Sequence, residues 1–168
     1  HPQQGGRLTM CVGLGAATAI EEMTGLSVQL KWPNDLLLQG RKLAGVLTET
    51  QLDGDRMTYA VVGLGLNVNL TRLPDDELAA TATSLSQAMG RSISRLALLQ
   101  AIRTNEKTRD LPLILVTSLD RPRDFERGMT LGANAYIVKR KFDHQELLMT
   151  IQRFLDTMPD GEDQIKIF

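Results

Sequence analysis

The sequence predicts an α/β chain made of two unlike halves, an α+β segment with a mixed sheet followed by a parallel βαβα arrangement. Residues 28–69 hold short apolar stretches separated by tight turn signals, which implies antiparallel strands, because parallel strands need long crossovers. Residues 111–139 hold two apolar stretches separated by a helix-length segment, the signature of a parallel βαβ unit. The change of character falls near residues 100–104, where no Pro- or Gly-rich linker intervenes. The expected division is therefore residues 1–102, residues 103–158 and a polar tail over 159–168.

A length of 168 residues is enough to bury a core, and 42% hydrophobic with 23% charged residues describes an ordinary globular chain. Residues 1–102 carry 8 basic and 9 acidic residues, and residues 103–168 carry 11 of each. With neither half forming a basic patch, a nucleic-acid partner has no electrostatic support. No apolar run approaches the ~20 residues that span a bilayer, and the first residues lack a signal-peptide pattern, so no membrane role and a cytoplasmic location are expected. The single cysteine, Cys11, excludes an internal disulfide and fits a reducing compartment. His1, His144 and Cys11 give no metal-ligand spacing. Asn69-Leu70-Thr71 fits a glycosylation pattern that has no meaning without secretion.

Apolar residues at Leu8, Cys11, Val12, Ala16, Ala19, Ile20 and Met23 predict a helix over 8–23 closed by Gly25. Gly13 and Gly15 lack a preceding strand and a third glycine, so they read as close-packing positions and not as a dinucleotide loop. Strands follow over 28–32, 35–38, 43–50 and 57–69, with turns at Pro33-Asn34, Gln39-Gly40 and Asp53-Gly54-Asp55. Pro74-Asp75-Asp76-Glu77 opens a loop or helix, and Leu96, Leu98, Leu99 and Ile102 form the apolar set of a helix over 94–102. The nearly continuous apolar run over 111–116 predicts a strand buried on both faces. A helix over 121–131 closed by Gly132, a strand over 135–139 and a final helix capped by Asp143 complete the chain. Glu146 stands at the capping-box position, and Leu147, Leu148, Ile151 and Leu155 form the inner face of that helix.

Three pieces carry the chemistry: Lys31-Trp32-Pro33-Asn34-Asp35, then Lys42-Leu43-Ala44-Gly45-Val46-Leu47-Thr48-Glu49, then Val62-Gly63-Leu64-Gly65-Leu66-Asn67-Val68-Asn69. In this order and spacing they resemble the centre of the catalytic domain of biotin protein ligases, a likeness that runs over about residues 8–102 and includes Ala82-Thr83-Ser84-Leu85. The resemblance implies joining of biotin and ATP to biotinyl-AMP and transfer of biotin to a lysine of a biotin carboxyl carrier-type protein. Two anions must meet in such a reaction, so fixed positive charge is needed where negative charge develops. Lys31 is the implied catalytic cation at the biotin carboxylate and α-phosphate, and Lys42 a second one. Asp35 is implied to orient a lysine or the carrier amine. Asn34 and Asn67 are implied to hold the nucleotide or its Mg²⁺, which is expected to arrive with ATP. Gly45, Gly63 and Gly65 would let backbone approach the ligand, and Trp32 is expected to pack beneath the motif turn. No Gly-Arg-Gly-Arg-x-Gly biotin-covering segment occurs in the sequence, so the expectation is an impaired activity.

Leu113-Ile114-Leu115-Val116-Thr117-Ser118 and Gly132-Ala133-Asn134-Ala135-Tyr136-Ile137-Val138-Lys139 resemble the fourth and fifth strands of a response-regulator receiver domain, a flavodoxin-like fold. Thr117, Tyr136 and Lys139 match its switch positions. The phosphoacceptor aspartate has no counterpart, so the alternatives to ligation are a signalling or protein-interaction module and a chimaera with no evolved activity. The apolar strand over 111–116 is also a candidate surface for homo-oligomer formation.

Overall fold

A computed structural model describes residues 3–157 except 55, 72–75, 105, 107–108 and 111. The chain divides into two compact units, His1–Ser94 and Arg95–Phe168. The first opens with α1 (Gln3–Thr24), followed by β1 (Gln29–Lys31), β2 (Asp35–Leu38), β3 (Arg41–Asp53) and β4 (Arg56–Leu66). These strands form an antiparallel sheet in the order β1-β2-β3-β4, not the expected mixed sheet, because tight turns join each strand to the next; the isolated bridge between Lys42 and Ala82 is parallel. Two short helices, α2 (Asp76–Thr81) and α3 (Leu85–Met89), end the unit.

α1 lies on one face of the sheet, and its closest approach is at Gly13. A Cβ at that position would stand 2.9 Å from Leu30 Cδ2 and 3.7 Å from Leu36 Cδ1, so a larger residue there would push the Leu30 side chain aside. The buried residues of α1 are therefore Leu8, Gly13, Ala17 and Ile20, whereas Cys11 and Met23, expected on the inner face, are exposed. Gly25 ends the helix at φ +71° with its N–H donated to Glu21 O, as the sequence predicts. The Glu21 carboxylate accepts from Val28 N at 2.9 Å and aims the chain into β1. The core beneath α1 holds Leu36, Leu38, Ala44, Val46, Ala60 and Val62, each almost fully buried.

The second unit comprises α4 (Arg95–Thr104), β5 (Ile114–Thr117), α5 (Pro122–Thr130), β6 (Ala135–Val138), a 3₁₀ turn (Lys139–Lys141) and α6 (His144–Thr157). β5 and β6 pair in parallel, with Ile114 opposite Ala135 and Thr117 opposite Val138. α5 makes the crossover, and Gly128 lets it approach the strands, since a Cβ there would lie 3.1 Å from Tyr136 Cδ2 and 3.2 Å from Leu115 Cδ1. Gly132 follows α5 at φ +96°. Asp143 caps α6 by accepting from Gln145 N at 2.9 Å.

Two further expectations are corrected, and others fall outside the described residues. β5 is not buried on both faces: Val116 is 39% exposed, because β6 is the only strand beside it among the described residues. Residue 111, and residues 74–75 of the expected helix entry, lie outside the described residues, as does the tail over 159–168. On α6 the buried residue is Ile151, while Leu148 faces outward and is half-exposed.

The helix α4 runs through residue 102, where the sequence places a division. Its Arg103 ties α4 to the turn before β6. Nε donates to Gly132 O at 2.7 Å, Nη1 to Arg109 O at 2.9 Å, and Nη2 to Asn134 Oδ1. Burial pulls the Arg103 guanidinium below its usual range, opposed by the nearby Asp110 carboxylate. Arg103→Ala is expected to lower the stability of this unit by about 1–3 kcal/mol, since it strands several acceptors at once. Urea unfolding followed by circular dichroism measures this, and a loss below about 0.5 kcal/mol would mean water replaces the guanidinium without cost.

Candidate active site

The site grows from strand register. Lys31 on β1 stands opposite Asp35 on β2, Asp35 opposite Gly45 on β3, and Gly45 opposite Gly65 on β4. Directly opposed residues share a face, so these four form one row across the sheet. Gly63 lies two residues before Gly65, opposite Leu47, on the same face. Leu47 is 62% exposed, as are Lys31, Gly63 and Gly65 in large part, so this face is open.

Lys42 reaches the row through a β-bulge. Three residues before Gly45, it would point to the opposite face of a regular strand. The register shifts between Leu36 and Leu37, so that Leu36 pairs with Ala44 and Leu37 with Lys42, leaving Leu43 as the extra residue. Leu43 is fully buried and Lys42 is turned to the Asp35 side. Lys42 Nζ lies 2.6 Å from Asp35 Oδ1, an ion pair whose approach is not aligned as a hydrogen bond, leaving that buried oxygen able to take a better-directed donor. A Cβ on Gly45 would stand 3.5 Å from Lys42 Cε and 3.6 Å from its Nζ. The ammonium thus rests over bare backbone. Two lysines around one carboxylate leave an excess of positive charge, suited to an anionic ligand.

Backbone hydrogen bonds hold these strand ends. Val46 N donates to Asn34 O at 2.8 Å and pins the turn between β1 and β2 to β3. Trp32, expected beneath that turn, is instead 79% exposed, because Leu36 and its neighbours already fill the core there. Asn67 serves as a brace: its N–H donates to Leu43 O, its carbonyl accepts from Leu85 N, and its Nδ2 donates to Thr83 O at 3.1 Å. Ala82 bridges Lys42 in parallel, and Thr83 N donates to Lys42 O. The implied role of Asn67 at the nucleotide therefore leaves only its Oδ1 for a ligand.

Sequence reasoning gave Asn69 no role of its own beyond closing the third motif and completing a glycosylation pattern. Its Nδ2 donates to Ile93 O at 2.7 Å and its Oδ1 accepts from Ile93 N at 2.8 Å, a two-bond clamp. Ser84 Oγ, buried, donates to Leu70 O and accepts from Gln87 N. A cavity of about 320 Å³ lies between these segments, lined by Asn69, Ser86, Gln87, Arg91 and Ser92 among others. The sequence does carry a signal for the bulge, since adjacent Leu43 and Ala44 break the alternation of β3.

In the second unit Thr117 ends β5 and Lys139 follows β6, at the C-terminal edge of the parallel pair. Tyr136 OH donates to Leu119 O at 2.9 Å, and its ring meets Phe125 edge-on at 5.5 Å. Burial, with Asp124 nearby, pushes the Tyr136 phenol above its usual range, against a hydrogen bond with Thr117. Among the described residues no group of three or more His, Cys, Asp or Glu could hold a metal ion, and no helix is long and apolar enough to cross a membrane.

Over 99 residues the chain is 42% identical to the bifunctional ligase/repressor BirA of Bacillus subtilis, covering 57% of this chain and 30% of that protein. Over 81 residues it is 38% identical to the biotin–[acetyl-CoA-carboxylase] ligase of Paracoccus denitrificans, covering 45% of this chain and 33% of that one. The structure of biotin protein ligase from Aquifex aeolicus in complex with biotin and ATP aligns with 57% of this chain and 39% of its own, at 36% identity and a TM-score of 0.48. The chain spans about 30% of the length of the Bacillus relative it matches. Residues 2–67, from α1 to the end of the glycine-bearing strand β4, match the biotin/lipoate A/B protein ligase family.

Proposed function

We propose that the N-terminal unit carries the central part of a biotin-adenylating site and contributes to ATP-dependent biotinylation of a carrier protein. The observation that supports this reading is the Lys31–Asp35–Gly45–Gly65 row with Lys42 folded onto it. In the proposed reaction a biotin carboxylate oxygen attacks the α-phosphorus of ATP, and the bond to pyrophosphate breaks. The carrier lysine amine then attacks the acyl carbon and AMP leaves. Lys31 and Lys42 offset the charge of the approaching anions. Gly45, Gly63 and Gly65 offer bare backbone for the adenylate to lie on. When the anion draws Lys42 away, the Asp35 carboxylate is left to orient the carrier amine and to take up the proton that the amine gives up as the amide forms. Asn34 and the Oδ1 of Asn67 are the remaining polar groups for the nucleotide. Mg²⁺ would be carried on the phosphates and lower their charge. Asn34 and the Oδ1 of Asn67 are the groups that would hold the metal with the nucleotide.

Trp32 is the only tryptophan and sits exposed inside the motif, so its emission reports directly on this site. Titration with a non-hydrolysable biotinyl-adenylate analogue is expected to give a saturable blue shift as the ligand covers the indole. Lys31→Ala should weaken the analogue by about tenfold or more, the loss of one hydrogen bond to a charged group. Absence of any saturable change in the parent, with its circular dichroism intact, would overturn the reading.

A further inference from the structure

The β5 strand has one paired edge and one open one, and backbone parity says which groups the open edge presents. Leu113 O accepts from Asn134 N at 2.8 Å and from Ala135 N, while Leu113 N donates to Asn134 Oδ1 at 2.8 Å, so the peptide groups of Leu113 turn toward β6. Alternation then turns Leu115 and Thr117 the same way, and sends the N–H and C=O of Ile114 and Val116 outward. Among the described residues no strand pairs on that side, and neither outward residue has a backbone partner outside the β5–β6 ladder. A two-stranded sheet is marginal by itself, and parallel strands normally have neighbours on both sides.

We infer that the open edge of β5 pairs antiparallel with β5 of a second copy of this chain, about a two-fold axis at Leu115. In that register Ile114 faces Val116 of the second copy and Val116 faces its Ile114, each pair exchanging both hydrogen bonds. The outward groups of each copy are thereby satisfied by the same groups of the other. Charge favours this self-pairing. From residue 112 to residue 119 there is no charged side chain, so the two-fold sets no like charges opposite one another. The net charge of −1 gives two copies little reason to repel. Natural sheet edges that avoid pairing carry lysines, prolines or bulges along their length, and Ile114–Thr117 has none. Val116 and Leu119, both partly exposed, would gain cover in the dimer.

Light scattering on the full chain across a dilution series tests this. The expected mass rises from that of the monomer to twice that value with concentration. Val116→Pro removes only an outward N–H and no bond to β6, so it should hold the chain monomeric with an unchanged circular dichroism spectrum. If that variant does not fold, Val116→Lys blocks the edge with its N–H retained, and Val116→Thr, which keeps both shape and donor, should still dimerise. The amides of Ile114 and Val116 should exchange slowly only at concentrations where the dimer forms. A monomer at every concentration, or a dimer that survives in folded Val116→Pro or Val116→Lys, would overturn the inference.

Discussion

Leu43→Ala is expected to lower the unfolding free energy of the N-terminal unit by about 2–5 kcal/mol, the range for a large apolar side chain removed from a packed core. Leu43 is completely buried, and it is the residue that the bulge in β3 adds to the core. Its side chain anchors the kink that turns Lys42 toward Asp35, so the cavity left by alanine relaxes the site as well as the core. Leu43→Met, which keeps most of the volume, should cost less than about 1.5 kcal/mol. Urea unfolding followed by circular dichroism gives the total, and amide exchange assigns the loss to β2 and β3. A loss under about 1 kcal/mol would show that the strand closes over the gap, and that Leu43 does not hold the bulge.

Removing the Lys42 ammonium is expected to weaken the biotinyl-adenylate analogue by about 10- to 150-fold, the equivalent of 1.5–3 kcal/mol for a hydrogen bond to a charged group. Lys42→Met keeps the length of the chain over Gly45 and removes the charge. Gly45→Val does the reverse: it keeps the lysine but puts a side chain where a Cβ alone would already be 3.5 Å from Lys42 Cε. Both variants should lose affinity, and the double variant should lose little more than either alone, because each disables the same ammonium. Trp32 fluorescence measures all three. Full additivity would mean that Gly45 acts on something other than the placement of Lys42.

Much of this architecture is legible in the sequence, because its signals are local. Tight turns at Pro33-Asn34 and Gln39-Gly40 imply the antiparallel meander, and Asp35–Leu38 forms with the bounds that those turns set. Gly25 and Gly132 mark helix ends because only a residue without Cβ adopts positive φ freely there. What stays hidden depends on contacts distant in sequence. The inner face of α1 is centred on Gly13, which no hydrophobic count includes, so Cys11 and Met23 fall on the wrong side. Trp32 reads as core by its type, yet its location above a filled core leaves it in solvent. The meeting of Lys42 and Asp35 needs the bulge, and Arg103 finds acceptors at Gly132 and Asn134, about thirty residues away. The glycines of the site are visible as letters, whereas their alignment with Lys31 and Asp35 is a matter of register.

The clamp between Asn69 and Ile93 has a consequence for the order in which the first unit assembles. It joins residues 24 apart in sequence. Closing a flexible loop of that length costs about 3 kcal/mol in chain entropy before any constant is added. Its two hydrogen bonds return roughly 0.5–1.5 kcal/mol each, too little to close the loop unaided. The ends must first be brought near by the contacts of Asn67 with Leu85 and of Ser84 with Leu70, which divide the loop into shorter spans. Asn69 is therefore expected to engage late, as a latch whose removal speeds the reopening of the segment more than it slows its formation, which unfolding and refolding rates of Asn69→Ala would read.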